Sequence, residues 1–197
     1  MTNDPSHIDL QKLIEKIEQV KKFKYLGSEI ESNTKDNSEI NKRRCIAFAA
    51  FWDLTKIWKS KDISLKQKLI FFQSICLSIL LYGCETWILS NDLINKLDSF
   101  ATICYRYILQ ISKIEKVSND EILKIVNRKP LHELIQERQL KFVNNVQSLD
   151  NNNIFKKYLF YTPLHGKNKV GRPRTTYEKY ISKIIENKNR DRELIPN

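Results

Sequence analysis

The feature that most constrains this chain is an apolar stretch at residues 69–82, interrupted only by one Gln and two Ser. Ser64 and Gln67 stand just before it in the spacing of a capping box, in which each side chain accepts a hydrogen bond from the other residue's backbone N–H. Gly83 follows, and glycine commonly ends a helix. The stretch is too short for a bilayer, which needs about 20 apolar residues. We therefore expect a buried helix at the centre of the domain.

Helical periodicity flanks this stretch on both sides. Apolar residues recur at intervals of three and four over 38–59, and Asp36 with Glu39 has the spacing of a capping box. Aromatic and polar residues alternate over 23–30, which is typical of a hairpin or an edge strand. The other expected helices span about 92–111, 118–127, 130–149 and 177–185, with an irregular connector after the Asn run at 151–153. The predicted fold class is mainly α, with a short N-terminal β-hairpin or edge strand.

The charge of the chain indicates a class of partner. Over 197 residues the formal net charge is +11 and the isoelectric point is near 9.4. Lys and Arg that neutralise phosphates release condensed counterions, so such a surface attracts nucleic acid. An ordinary, well-solvated cationic surface is the alternative. Between positions 156 and 190, ten Lys or Arg stand against two Glu, interleaved with Tyr158, Phe160, Tyr161 and Tyr177. Basic and aromatic residues together suit binding to single strands or loops.

Cysteine and histidine usage gives no sign of a metal site. The four cysteines, at positions 45, 76, 84 and 104, have no CxxC pair and no histidine at zinc-finger spacing. We interpret them as reduced core thiols, which predicts an intracellular compartment, nuclear or cytoplasmic. His7, His132 and His165 are scattered, and His132, early in a helix, is expected to have a partly exposed structural role.

Five separated stretches carry a resemblance to a known family. They read FKYLGS at 23–28, LTKIWKS at 54–60, LLYGCETW at 80–87, ERQLKFVNNV at 137–146 and GKNKVGRPRTTY at 166–177. In this order they resemble the region downstream of the catalytic carboxylates in reverse transcriptases of non-LTR (LINE-like) retrotransposons, the endonuclease-reverse transcriptase kind. The resemblance covers about residues 17–185. It implies a fragment with a primer-grip edge, a helical thumb and a basic irregular C-terminal tail, whose partners are RNA, DNA or an RNA–DNA hybrid.

The resemblance also implies roles for individual residues. The primer grip, a hairpin that holds the 3′ end of the growing strand, matches Phe23, Lys24, Tyr25, Leu26 and Gly27, for which a plain edge strand is the alternative. The cations expected to contact the nucleic-acid backbone are Lys42, Arg43, Lys56, Lys59, Arg138, Lys141, Lys167, Lys169, Arg172 and Arg174. For any single Lys on the helix at 42–59, a solvated surface position is the alternative. Tyr82, Gly83 and Trp87 lie in an apolar context, which favours packing over ligand contact.

The chain lacks the groups that a polymerase needs for phosphoryl transfer. Closely placed carboxylates must hold two metal ions, and no adjacent Asp pair or Tyr-x-Asp-Asp run occurs here. In the resembled family these residues lie upstream of the Tyr-Leu-Gly segment, and the whole polymerase would use Mg²⁺. We therefore predict no polymerase activity and no cofactor for this chain alone. Two departures are Phe142 with Asn144-Asn145, where the family commonly has a Trp and a Gly-His pair, and Asp36-Asn37 in place of a turn glycine.

The predicted organisation leaves two other functions open. We expect a poorly ordered N-terminus at 1–16, a primer-grip-like β segment at 17–37, a thumb-like helical domain at 38–150 and a basic tail at 151–197. The first alternative is a helical interaction module that recruits a protein partner or self-associates through surfaces left by the missing palm. The second is binding to A·T-rich DNA through Gly-Arg-Pro-Arg at 171–174, which resembles the core of a minor-groove hook. No membrane segment is expected.

Overall fold

The computed structural model describes residue 20 and residues 22–25, 27–31, 36–159 and 176–193. The fold is mainly helical, as predicted. The chain divides into two compact units, residues 1–35 and 36–197. The predicted disorder of residues 1–16 falls outside the described residues.

The first unit contains a two-stranded antiparallel hairpin. Strand β1 spans Lys22–Tyr25 and strand β2 spans Ser28–Glu31, with Tyr25 opposite Ser28. Gly27 at the turn has a φ of +81°, a left-handed conformation that glycine adopts without steric cost. The alternating run at 23–30 therefore lies in two strands joined by a tight bend at Gly27.

The single helix expected at 38–59 is two helices. Helix α1 spans Asp36–Asp53 and α2 spans Thr55–Lys59. The carbonyl of Phe51 accepts hydrogen bonds from the backbone N–H of Leu54 at 3.2 Å and from the indole of Trp58 at 2.7 Å. In a continuous helix the N–H of Thr55 would donate to this carbonyl. Because the two other donors occupy it, the helix breaks at Leu54. Asp36, predicted as an N-cap, lies inside the first turn.

The apolar stretch forms the expected buried helix, which we call the central helix (residues 65–80). It consists of α3 (Leu65–Phe71), a π-helical segment (Phe72–Leu77) and α4 (Ser78–Leu80). Ser64 and Gln67 form the predicted capping box, with Gln67 N–H donating to Ser64 Oγ at 3.4 Å and Ser64 N–H to Gln67 Oε1 at 3.0 Å. Gly83 follows with a φ of +71° and a short 3₁₀ turn, Cys84–Thr86.

Three further helices follow the central helix in the chain. Helix α5 spans Asn91–Leu109, α6 spans Asn119–Ile125 and α7 spans Leu131–Gln147, with a 3₁₀ turn at Lys113–Glu115. Ser118 and Glu121 form the predicted capping box at α6, and Ser90 caps α5 through the N–H of Leu93. Local start signals therefore fix these helices to within about two residues.

The C-terminal part is more helical than the sequence indicated. Helix α8, Ile154–Leu159, lies in the segment predicted to be an irregular connector, and Asn153 Oδ1 accepts from the N–H of Phe155 at its start, at 2.9 Å. Helix α9, Tyr177–Glu193, buries Ile181 and Ile184 beside Val143 of α7. The expected tail at 151–197 thus contains a helix that belongs to the core.

An aromatic cluster joins α1, the central helix and α5. Phe51 is fully buried, with its ring 5.1 Å from Trp58 in a stacked arrangement and 5.9 Å from Phe72 edge-on. Phe48 meets Phe100 of α5 edge-on at 4.5 Å. Such contacts add to the large apolar area that each ring buries. None of the described helices is both long enough and apolar enough to cross a membrane.

The cysteines fall into two environments. Cys76, Cys84 and Cys104 are buried, as expected of core thiols, and all four cysteines are free. Burial raises the pKa of Cys76 and of Cys84 to about 11 and raises that of Cys104 further. Cys45 is exposed on α1, so the expectation that it is a core thiol was wrong.

We predict that one thiol per native chain, that of Cys45, reacts readily with a maleimide at pH 7. The thiolate is the reactive form, and the three buried thiols are both shielded and held protonated. Mass spectrometry of the labelled protein should show one adduct in the folded state and four after unfolding in denaturant. Comparable labelling of a second cysteine in the folded chain would contradict this packing.

Candidate nucleic-acid interface

The hairpin matched to a primer grip presents its turn and one aromatic ring. Phe23 is more than half exposed and Gly27 is exposed at the turn, where a Cβ would meet no atom within 4 Å. Leu26 and the side chains of Lys24 and Tyr25 fall outside the described residues. The turn therefore leaves room for close approach of another molecule to the backbone.

The second matched stretch, 54–60, contains a buried residue that contacts both α1 and the central helix. Trp58 is fully buried, and its carbonyl accepts a hydrogen bond from Lys68 Nζ at 2.8 Å. Lys68 is itself buried, in the first helical section of the central helix. A buried ammonium needs such partners because desolvation of a charge is costly. Lys68 thus fixes α2 to the central helix. Nothing in the sequence indicated this buried role, because Lys68 stands between a capping box and an apolar run.

The third and fourth stretches meet at one buried amide. Gln139 of α7 is fully buried, and its Nε2 donates to the carbonyl of Cys84 at 3.0 Å and to the carbonyl of Trp87 at 2.8 Å. These carbonyls belong to the turn after the central helix. The Cys84 carbonyl also accepts from the backbone N–H of Trp87 at 3.2 Å, so Gln139 adds a second donor there, supplies a donor to the Trp87 carbonyl, and holds the turn against α7.

Helix α9 completes the same network. Tyr180 donates its hydroxyl to Gln139 Oε1 at 3.2 Å, and Tyr177 donates to the carbonyl of Glu85 at 2.5 Å. Burial raises the pKa of Tyr177 to about 12 and raises that of Tyr180, so both phenols are neutral donors at neutral pH. We call Gln139, Tyr177, Tyr180 and the carbonyls of residues 84, 85 and 87 the Gln139 node. It brings together the stretches at 80–87, 137–146 and 166–177.

Gln139 was missed in the sequence, although a signal was present. It occupies an apolar position of α7, four residues from Ile135 and four from Val143, both buried. A polar residue in an apolar stripe is paired when it is buried. A Gln in the apolar stripe of α7 therefore predicts a buried hydrogen-bond network. The residues that pair with Gln139 are identified only by the structure.

Arg43 differs from the other cations expected to contact phosphates. It is buried, with its Nε 2.7 Å from a carboxylate oxygen of Glu39 and its guanidinium 4.5 Å from the ring centre of Tyr82. An ion pair and a cation–π contact already use this side chain. The geometry favours a structural role for Arg43, which joins α1 to the residue before Gly83.

The remaining predicted cations lie on the surface where they are described. Lys42 is exposed on α1, and Arg138 and Lys141 are exposed on α7. Residues 42–68 carry eight Lys or Arg against Asp53 and Asp62. Four of these cations are exposed between the end of α1 and the first turn of the central helix; we call them the cationic elbow (Lys56, Lys59, Lys61 and Lys66). The predicted cations Lys167, Lys169, Arg172 and Arg174 fall outside the described residues.

On α8, Lys156 is hydrogen-bonded within the chain, whereas the aromatic residues are exposed. Lys156 Nζ donates to the carbonyls of Gln147 and Leu149 at 3.0 and 3.1 Å and to Asn151 Oδ1 at 2.8 Å. It therefore satisfies carbonyls at the C-terminal end of α7. Phe155 and Tyr158 are about three-quarters exposed. Aromatic rings on this short helix are accessible, whereas Lys156 is engaged.

His132 has the partly exposed structural position that its sequence context predicted. Its Nδ1 lies 2.6 Å from Asp98 Oδ2, and its backbone N–H donates to Asp98 Oδ1 at 3.0 Å. The carboxylate of α5 thereby satisfies a free N–H in the first turn of α7. Among the described residues, no group of three His, Cys, Asp or Glu side chains is placed to hold a metal ion.

We compared the chain with known protein families, curated sequences and solved structures, and no relative was found. The chain matches no protein-family model, no curated protein sequence and no solved structure.

We predict that Gln139→Met destabilises the fold by at least about 2 kcal/mol, because it leaves the Trp87 carbonyl without its side-chain donor and the Tyr180 O–H without its acceptor, at about 1–3 kcal/mol for each group, and removes one of two donors to the Cys84 carbonyl. Gln147→Met makes the same change at an exposed site on the same helix and should cost less than about 0.5 kcal/mol. Urea unfolding measures both changes.

A double-mutant cycle isolates the contact with α9. Gln139→Met and Tyr180→Phe should be non-additive by about 0.5–3 kcal/mol, since the two side chains share a hydrogen bond. Additive losses, or a loss at Gln139 no larger than at Gln147, would show that the Gln139 node does not hold the three elements together.

Proposed function

We propose that this chain is a catalytically incomplete fragment of a non-LTR retrotransposon reverse transcriptase and that it binds template–primer nucleic acid without sequence preference. The observation that carries the proposal is the cationic elbow. The eleven residues that it spans, 56–66, include four exposed Lys and a single acidic residue, Asp62. Duplex binding without base readout needs phosphate contacts and a fitting shape rather than a catalytic site.

The arrangement of the resembling stretches gives a second line of support. In the stretch at 54–60, Trp58 is buried in the core while Lys56 and Lys59 are exposed beside it. The same short sequence therefore supplies a structural anchor and two surface charges. A segment with both functions suits a thumb that is rigid inside and cationic outside.

The proposal assigns no chemistry to this chain. Two-metal phosphoryl transfer needs a carboxylate cluster, and the sequence has no Tyr-x-Asp-Asp run. The fragment would contribute affinity and positioning, while the parent polymerase would supply catalysis.

We predict that the full chain binds a fluorescent RNA–DNA hybrid with strong salt dependence and that Lys59→Gln with Lys61→Gln lowers this dependence. Each phosphate contact contributes a slope of about 0.9 in the logarithm of affinity against the logarithm of salt, so losing two contacts lowers the slope by about 2. Fluorescence anisotropy across a salt series measures it. A DNA duplex of the same length tests whether binding depends on the type of duplex.

The matched control is Lys96→Gln with Lys116→Gln, which removes two exposed or half-exposed cations outside the elbow. Its slope should stay within about 0.5 of the unsubstituted chain, because few phosphates meet that surface. Equal effects of the two pairs would mean that net charge, not the elbow, attracts nucleic acid. No binding at low salt would overturn the proposed function.

The contribution of the basic C-terminal region must be measured without truncation. Helix α9 supplies Tyr177 and Tyr180 to the Gln139 node, and it buries Ile181 and Ile184. Removing residues after 153 would therefore unfold part of the core as well as remove charge. Replacement of Arg172 and Arg174 by Gln in the full chain separates these two effects.

A further inference from the structure

A cavity of about 300 Å³ opens between the central helix, α5 and the connection from α6 to α7. Its walls are mostly apolar and include Leu69, Phe72, Leu77, Leu131 and Leu134. Binding pockets for small molecules span about 300–1,000 Å³, so this cavity has the size for a single ring system rather than a longer ligand. It is separate from the Gln139 node and from the cationic elbow.

Tyr105 of α5 gives the cavity a polar group that pairs with no residue in the described part of the chain. The residue is 5% exposed, lines the cavity and packs edge-on against Phe72 with ring centres 5.1 Å apart. Its hydroxyl makes no hydrogen bond to any described residue. Burial raises the pKa of Tyr105 to about 12, so the hydroxyl is a neutral donor at neutral pH. A hydroxyl on a mostly buried side chain needs a ligand or water as its hydrogen-bond partner.

The connection from α6 to α7 places a cation beside this hydroxyl. Asn127 adopts a φ of +49°, and the N–H of Arg128 donates to the carbonyl of Leu123 at 3.0 Å, which fixes the chain reversal. The exposed Arg128 lines the cavity, and its charge acts to lower the pKa of Tyr105 against the larger effect of burial. The guanidinium is therefore within electrostatic reach of the hydroxyl.

Glu137, the one carboxylate among the described residues that line the cavity, is already paired. Lys129 Nζ lies 2.7 Å from Glu137 Oε1 at the rim. This pair offsets the negative charge of Glu137, so Arg128 leaves the rim with a net positive charge. An anionic group next to an apolar ring would match this combination.

We propose that the cavity takes one unpaired nucleobase of a bound nucleic-acid strand, with Tyr105 donating to a base oxygen or ring nitrogen and Arg128 contacting the adjacent phosphate. The apolar walls would contact the faces of the base. The Tyr105 hydroxyl would pair with the edge of the base, and Arg128 would pair with the phosphate beside it. This inference rests on the proposed function. An apolar side chain of a protein partner fits the same volume, but it would leave the Tyr105 hydroxyl unpaired.

The test compares two RNA–DNA hybrids of equal duplex length, one blunt and one with a short unpaired 3′ overhang that carries 2-aminopurine. The full chain should bind the overhang form more tightly, and 2-aminopurine fluorescence should change on binding. Tyr105→Phe should weaken overhang binding by about three- to tenfold, the usual range for one hydrogen bond. The affinity for the blunt hybrid should not change.

Tyr107→Phe is the matched control. It makes the same change on the same helix, but the Tyr107 ring packs against Trp52 at 4.9 Å and against Phe51 at 5.8 Å, outside the cavity. It should leave binding of both hybrids unchanged. Tyr105→Phe should also unfold at the same urea concentration as the unsubstituted chain, or a higher one, because none of the described residues hydrogen-bonds to the hydroxyl that it removes.

The outcomes separate the inference from the proposed function. Equal affinity of the full chain for both hybrids would overturn the base site and leave the proposed function intact, whereas binding to neither would overturn the proposed function. Overhang binding that survives Tyr105→Phe, or falls equally with Tyr107→Phe, would also overturn the base site. A marked loss of stability in Tyr105→Phe would contradict its premise that the hydroxyl is unpaired.

Discussion

The buried amide of Gln139 is the constraint on which the rest of the structure depends. A side chain with two donors and one acceptor is placed where no water reaches it, so the turn at 84–87 and helix α9 must supply its partners. Apolar packing alone is tolerant of small shifts, whereas a hydrogen-bonded network accepts few arrangements. The amide therefore fixes how the end of the central helix, α7 and α9 meet.

This constraint separates the anchoring residues from the charged ones. Trp58, Cys84, Trp87 and Gln139, all from the stretches that resemble reverse transcriptases, are buried. Four of the exposed cations, those of the cationic elbow, lie beside Trp58 in the chain. On our proposal, the resembling stretches build a rigid scaffold, and nucleic acid contacts the surface that this scaffold presents. Arg43 shows why residue type alone is a weak guide, because Glu39 and Tyr82 already use its charge.

The sequence predicted those parts of the fold that have local causes. The sequence signals were the serine caps at positions 64 and 118, Pro130 and Gly83, which act within a few residues. Most of the helices begin and end close to where expected. The misses have distant or competing causes. The break at Leu54 depends on the Trp58 indole, and the burial of Lys68 depends on a carbonyl ten residues earlier. The Gln139 node and the Tyr105 cavity join residues more than 25 positions apart, which no local pattern predicts.

The central claim is that nucleic acid meets the elbow while the Gln139 node remains internal, and amide hydrogen exchange of the full chain with and without an RNA–DNA hybrid tests it most directly. Slow exchange reports protected backbone groups, and a bound partner adds protection where it contacts the chain. The account predicts new protection in peptides covering 54–66, with residues 81–90 exchanging slowly in both states. New protection at 81–90 without any at 54–66 would contradict it, because the turn held by Gln139 would then be the contact surface.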